Sequence, residues 1–302
     1  MKLFSILKTY NSNAYKVSKP IIYCLLLVLA LTDRWMILSQ FAFKYTDHDQ
    51  TLMWSGAREM MHGLFHEPCF YGQNYNTMME GLFSVPLICM GLLYPVSLPL
   101  LTSALALFPY LLFSLICLRK KKYINACIIL LICILLPAEY GMMSSMSRGF
   151  VTGIFVASIA CMGLFHPNNK SSWFLFGLFG TLSFWVNGNS VLLIIPVFIF
   201  LFLHHARNFW FYVFTALGFI PAAVWIYFAF RFYVLHPGYI FYQSIDYSFS
   251  FQLLFDSFKN LNSFFNDVTP LFWNAGWLVL ILIVIESVIL FIQKILKQQQ
   301  DF

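Results

Sequence analysis

An all-α polytopic membrane protein is what this sequence predicts, and three observations carry it. The chain is 60% hydrophobic and only 10% charged, against roughly 25% charged residues in soluble domains. Its mean hydropathy is +0.76. Apolar runs recur along it, each approaching the roughly 20 residues that a helix needs to cross a bilayer. Lipid cannot satisfy backbone N–H and C=O groups, so such runs form helices; β-barrel strands would be shorter and alternate in polarity.

The runs fall at 21–43, 81–118, 123–138, 149–165, 173–186, 189–203, 209–235 and 271–293. They predict about eight spans in one domain covering 1–302. The first run is too long for a signal-peptide core and lacks a small-residue cleavage site, so it is read as a retained span. In 81–118, Pro86, Pro95 and Pro99 leave two readings, a half-helix plus one span or a hairpin. One net crossing is preferred, because a hairpin would put the Arg119-Lys120-Lys121-Lys122 turn outside.

Charge placement orients the bundle. With a cytoplasmic N-terminus, twelve of the eighteen basic residues share that side with the loops at 119–122, 166–172 and 204–208 and the C-terminal tail, as the positive-inside rule requires. The other side receives a 45–80 loop, the 137–149 and 187–190 turns, a 236–270 loop and nine of the twelve acidic residues. The predicted location is the cell (inner) membrane, with both termini cytoplasmic. The net charge of +6 therefore reports topology and contact with anionic membrane lipid, and predicts no nucleic-acid partner. The seven cysteines form no CxxC pair; six lie in apolar runs as small hydrophobes, and Cys69 alone in a loop argues against a disulfide framework.

Residues 45–86 are the one long polar stretch in the first half. They hold Asp47, Asp49, Glu59, Glu67 and Glu80, five of the twelve acidic residues. Met53, Ala57, Met60 and Met61 recur at three- and four-residue steps, which predicts an interfacial helix from Asp49 to His62 that stops at Gly63. Asp49 falls at or beside its start, where free N–H groups favour a carboxylate. An aromatic turn containing Gly72 and Gln73 follows Pro68, and Glu80 stands immediately before the next apolar run.

Asp49-Gln50, Ala57-Arg58, Gly63, Pro68, the Tyr71-Gly72-Gln73-x-Tyr75 turn and Glu80 resemble the first external loop of GT-C-fold glycosyltransferases. The likeness is to the bacterial branch near glycosyltransferase family 39, with its protein O-mannosyltransferases and lipid A aminoarabinose transferases. It is specific over roughly 45–86; beyond that, topology and features such as Pro137 through Gly149 agree. Family members are commonly longer, so the resemblance implies a compact or truncated member.

The resemblance implies an inverting transferase that moves a sugar from a lipid-linked, polyprenyl-phosphate donor to a hydroxyl of a glycan, lipid or protein acceptor. One carboxylate takes the acceptor's proton, while cations or backbone donors offset charge on the departing phosphate. The family loop opens with Asp-Glu and uses its first Asp as base. Asp49 takes that place by its spacing to Arg58 and Gly63, with Gln50 where the family has Glu. Asp47, Arg58, Tyr71, Gln73, Tyr75, Glu80, Glu139 and Arg148 are then the candidate substrate-binding residues, Arg148 as a phosphate ligand. No cofactor and no metal site are expected, although the Asp47-His48-Asp49 triplet leaves a divalent metal open.

Each residue also has a plainer role. Asp47 and Asp49 could cap the helix, Arg58 could be a surface charge, and Arg148 could snorkel. Asp33, Arg34 and Glu286 fall inside apparent spans and are expected to face the bundle interior or to pair. Asn187 and Asn189 predict a tight turn. The aromatic stretch 236–255 fits either a cover over a lipid donor or an aromatic belt. Two other functional classes compete: a transporter or polymerase-like protein for lipid-linked sugars, which calls for charges within spans or matched broken helices, and a non-catalytic relative.

Overall fold

The computed structural model describes residues 2–136, 138–242 and 250–260, with 263, 281, 284, 285 and 288; residues 2–19 are described as backbone. The described residues are 78% helix, and among them there is no strand beyond isolated bridges at Phe70, Gln73 and Tyr242. Packing divides the chain into two compact units, 1–245 and 246–302. Most of the predicted span 271–293, with Glu286, lies outside the described residues, as do Pro137, Gln243, Lys294 and Lys297.

Among the described residues, the first unit holds ten α-helices: α1 (Lys2–Ile37), α2 (His48–Met61), α3 (Met79–Cys89), α4 (Tyr94–Arg119), α5 (Tyr123–Leu135), α6 (Ala138–Met143), α7 (Phe150–Cys161), α8 (Lys170–Val186), α9 (Val191–His205) and α10 (Phe209–Leu235). A π-helical turn, Leu38–Ala42, extends α1. Among the described residues, four stretches are long and apolar enough to cross a membrane: Pro20–Ala42, Tyr94–Arg119, Gly188–His205 and Phe209–Leu235. Met79–Cys89, Tyr123–Leu135 and Phe150–Phe165 are apolar but shorter. The molecule is thus a helical membrane protein.

The Pro-rich run 81–118 folds as a lopsided hairpin. α3 is eleven residues long, about 16 Å at 1.5 Å per residue, and does not span. It turns at Met90–Leu93 and runs antiparallel to the start of α4, so that Glu80 lies against Thr102. α4 then continues for another 17 residues, about 25 Å, to Arg119. The 45–80 loop and the basic turn therefore sit at opposite ends of the bundle, although the chain does double back between them.

Hydrogen bonds fix which helix ends lie together. At the basic end, Ser114 on α4 donates to the Ala126 carbonyl and shares a hydrogen bond with the Tyr23 hydroxyl. Nearer the other end, Arg34 on α1 donates through Nη1 to the Gly141 carbonyl and to Ser144 Oγ, each at 2.9 Å. Arg34 is buried, as expected of a charge inside a span, but its partners are a carbonyl and a hydroxyl.

Two apolar cores hold the unit together. Met53 and Ala57 of α2 pack with Phe70, Met78, Ile88 and Leu98, seating α2 on the α3–α4 hairpin. Ala160, Trp173, Phe176, Leu201 and Phe211 join α7, α8, α9 and α10. Where α8 crosses α10, Gly177 meets the Thr215 backbone and Gly218 meets that of Phe174, and a Cβ at either would collide with it. Small residues at such crossings let helix backbones approach closely.

In the second unit, α11 (Phe251–Lys259) is capped by Ser250, whose Oγ accepts from the backbone N–H groups of Gln252 and Leu253. Asp256 binds both Gln252 and Lys259 on its polar side.

A polar candidate site beside an apolar groove

The loop helix forms close to its predicted span, as His48–Met61, with Gly63 at φ +75° just beyond its end. Its cap is Asp47 rather than Asp49. Asp47 is extended (φ −121°), and its Oδ1 accepts from the Gln50 N–H at 2.9 Å. Its other oxygen, Oδ2, accepts from Arg148 Nη2 in an ion pair that joins α2 to the turn before α7. Asp49 lies in the first helical turn, half-buried. It is close enough to Tyr75 that its charge adds to burial in raising the Tyr75 phenol above its ordinary pKa.

Asparagine amides connect the next layer. Asn76 Nδ2 donates to the Arg148 carbonyl at 3.0 Å. Asn187 Nδ2 donates to Asn76 Oδ1 at 2.6 Å and to the Tyr75 carbonyl at 3.1 Å. The Asn187 side-chain Oδ1 accepts from the Asn189 N–H, so the predicted turn forms and also reaches the site.

Glu80 anchors the same turn from below. Its side chain is fully buried, and Oε1 accepts from the Gly149 N–H at 3.1 Å and the Thr152 hydroxyl at 2.9 Å. Oε2 accepts from the Thr102 hydroxyl at 3.1 Å, and that hydroxyl shares a 2.7 Å hydrogen bond with Ser147. Burial lifts the Glu80 carboxyl to about 7 although all three donors pull it down. The carboxylate therefore has no exposed surface, and both of its oxygens are occupied by protein donors.

The structure therefore brings together Asp47, Asp49, Tyr75, Glu80 and Arg148 of the sequence-predicted set. It leaves the others elsewhere. Arg58 is exposed nine residues after Asp49, which places it about half a turn round the helix and about 14 Å along it; it does not face the site. Tyr71 donates through its hydroxyl to the Leu52 carbonyl and packs its ring on His66 and Phe70. Gln73 belongs to a turn stitched to Tyr242. Glu139 is exposed on α6 and joins none of these bonds. His48 is exposed, and among the described residues no group of three or more His, Cys, Asp or Glu side chains is arranged to hold a metal ion.

Sequence reasoning missed Asn76, Asn187, Thr102, Ser147 and Thr152. It also missed a second polar cluster under the loop. There Glu67 is buried and accepts from the Tyr233 hydroxyl at 2.8 Å, while the Cys69 N–H donates to that hydroxyl at 3.1 Å. His66 lies between Glu59 and Glu67 at 3.3 and 3.5 Å. Burial raises the Glu67 carboxyl against the Tyr233 bond and the nearby His66.

Beside the polar site runs an apolar groove of about 480 Å³. Met79 and Phe83 of α3, Val156 of α7, Leu182 and Trp185 of α8 and Trp225 of α10 line it. Thr77, Met78 and Val186 belong to its wall as well, and their chain neighbours are Asn76 and Asn187. The groove and the polar cluster are two faces of the same segments. Comparison with protein-family models, with curated proteins and with solved structures found no match.

Proposed function

We propose that the chain is a GT-C-type glycosyltransferase of about eight spans that transfers a sugar from a polyprenyl-phosphate donor to an acceptor hydroxyl, with inversion, at the external membrane face. The observation that carries the reading is that the groove wall at Thr77 and Val186 continues directly into Asn76 and Asn187, the amides that tie the turn bearing Arg148 and its Asp47 partner. A donor with an apolar chain, an anionic link and a polar sugar has the same sequence of chemistries.

In this mechanism the prenyl chain lies in the groove and the phosphate meets Arg148. The acceptor oxygen attacks the anomeric carbon from the face opposite the phosphate. Its proton passes to the Asp49 carboxylate, the carbon–oxygen bond to phosphate breaks, and polyprenyl phosphate leaves with the bonding electrons. General-base catalysis supplies roughly 10² to 10⁴ in rate. The Arg148 charge offsets that gathering on the leaving phosphate.

Purified protein in lipid nanodiscs, incubated with a panel of radiolabelled polyprenyl-phosphate sugars, tests the reading. Release or transfer of label from at least one donor, lost in Asp49→Asn, is the expected result. No turnover of any donor, with no binding of polyprenyl phosphate, would overturn it.

A further inference from the structure

The Arg148 guanidinium is only half used. Its Nη2 donates to Asp47, while Nε, on the same edge of the fork, is buried and has no hydrogen-bond partner. Arginine binds phosphate best through two parallel N–H bonds. Asp47 cannot fill both positions, because its Oδ1 is held by the Gln50 N–H as the helix cap. One oxygen therefore meets one nitrogen where a phosphate would bring two. The backbone around Arg148 is fixed independently, by Asn76 on its carbonyl and by Glu80 on the next N–H. Losing Asp47 would not release the arginine from its place.

We propose that Asp47 is a resident counter-ion that occupies the phosphate seat on Arg148 and gives it up when the donor binds. The inference rests on the proposed function and adds an exchange step to it. The donor's phosphate takes Nε and Nη2 together, and the displaced carboxylate keeps its cap bond to Gln50. The empty site thereby avoids an uncompensated arginine, which is costly away from water. The same pair also opposes anions that lack the rest of the donor's contacts.

The exchange predicts an effect of unusual sign. Asparagine caps helices as well as aspartate does, so Asp47→Asn keeps α2 while removing the competitor for Arg148. A polyprenyl monophosphate, titrated into detergent-solubilised protein and followed by quenching of Trp185 and Trp225 fluorescence, should bind about tenfold more tightly to Asp47→Asn, a change equivalent to about 1.4 kcal/mol. The uncharged polyprenol should bind both proteins alike. Asp49→Asn removes a nearby charge without freeing Arg148 and should shift phosphate binding less than threefold. Arg148→Gln should remove the preference for phosphate in either background.

Unchanged or weaker binding by Asp47→Asn would overturn the exchange while leaving the transferase reading standing, since Asp47 would then support Arg148. Equal tightening by Asp47→Asn and Asp49→Asn would overturn it too, as simple relief of charge. If the unaltered protein prefers the phosphate no more than the polyprenol, the functional reading falls and the exchange falls with it.

Discussion

Replacing Glu80 by glutamine tests the buried anchor, and the structure fixes the sign of the result. The native carboxyl sits at about 7 against an ordinary 4.5. Between these values the folded chain binds the proton more firmly than the unfolded chain does. The associated stability is fully present below about pH 4.5 and is lost as pH rises through about 7. Two and a half pKa units correspond to about 3 kcal/mol, an upper figure for one group. Glutamine does not titrate and keeps one acceptor oxygen for Gly149 and Thr152. Its amide can donate to the Thr102 hydroxyl, which then turns to donate to Ser147. At pH 5 the variant should be less stable by about 1 kcal/mol, the net worth of an altered buried hydrogen bond. At pH 8 that deficit should vanish or reverse. Thermal unfolding of both proteins in one detergent from pH 5 to 8.5, followed by tryptophan emission, measures the difference. Glu67 titrates in both proteins and drops out of the comparison. A difference between the two that does not change with pH would refute the assignment of a raised carboxyl at Glu80.

Other outcomes follow from the same geometry. Asp49→Asn should lower turnover by about 10² to 10⁴ with donor binding little changed, and Asp47→Asn should cost turnover much less; equal losses would show that the wrong carboxylate was taken as base. Leu182→Trp should fill the groove and abolish binding of polyprenol and polyprenyl phosphate alike while far-ultraviolet circular dichroism stays that of the unaltered protein. Single cysteines at His48 and Lys121 should react with impermeant reagents from opposite faces of the membrane, and labelling from the same face would contradict the single crossing by α4.

How much of this was legible in the sequence differs by feature, for physical reasons. The helical character, the position of α2 and its stop at Gly63 could be read, because hydrophobic periodicity and a left-handed glycine act over one or two turns. The cap could not be assigned between Asp47 and Asp49 by spacing alone, since either can face free N–H groups and only the backbone at Asp47 decides. Arg148 was placed on the side of the loop by topology, but its pairing with Asp47 links positions 101 residues apart. Thr102, Ser147 and Thr152 look in the sequence like small residues scattered through apolar helices. Their hydroxyls acquire meaning only when α3 brings Glu80 between them. Asn187 was read as a turn former and is one, yet its amide spans to Tyr75 and Asn76. Arg58 is a simpler case: nine residues after Asp49 on one helix, it points to the opposite side.

The short α3 explains why site and groove occur together. A helix that crossed the membrane in this position would cover the faces of α7, α8 and α10 over about 30 Å; α3 covers about 16 Å at most. Val156, Leu182 and Trp225 form one wall of the groove and Met79 and Phe83 of this short helix form another. Glu80 lies in the first turn of this short helix, so a carboxylate enters the bundle where no span would tolerate one. Glu80 must then be satisfied internally, and the donors that satisfy it belong to Gly149, Thr152 and Thr102. Those bonds hold the turn whose one arginine faces Asp47. Lengthening α3 by a turn at its start would therefore be expected to damage the arginine seat and the groove at once. Lengthening the Met90–Leu93 turn, at the far tip of the hairpin, should leave both intact.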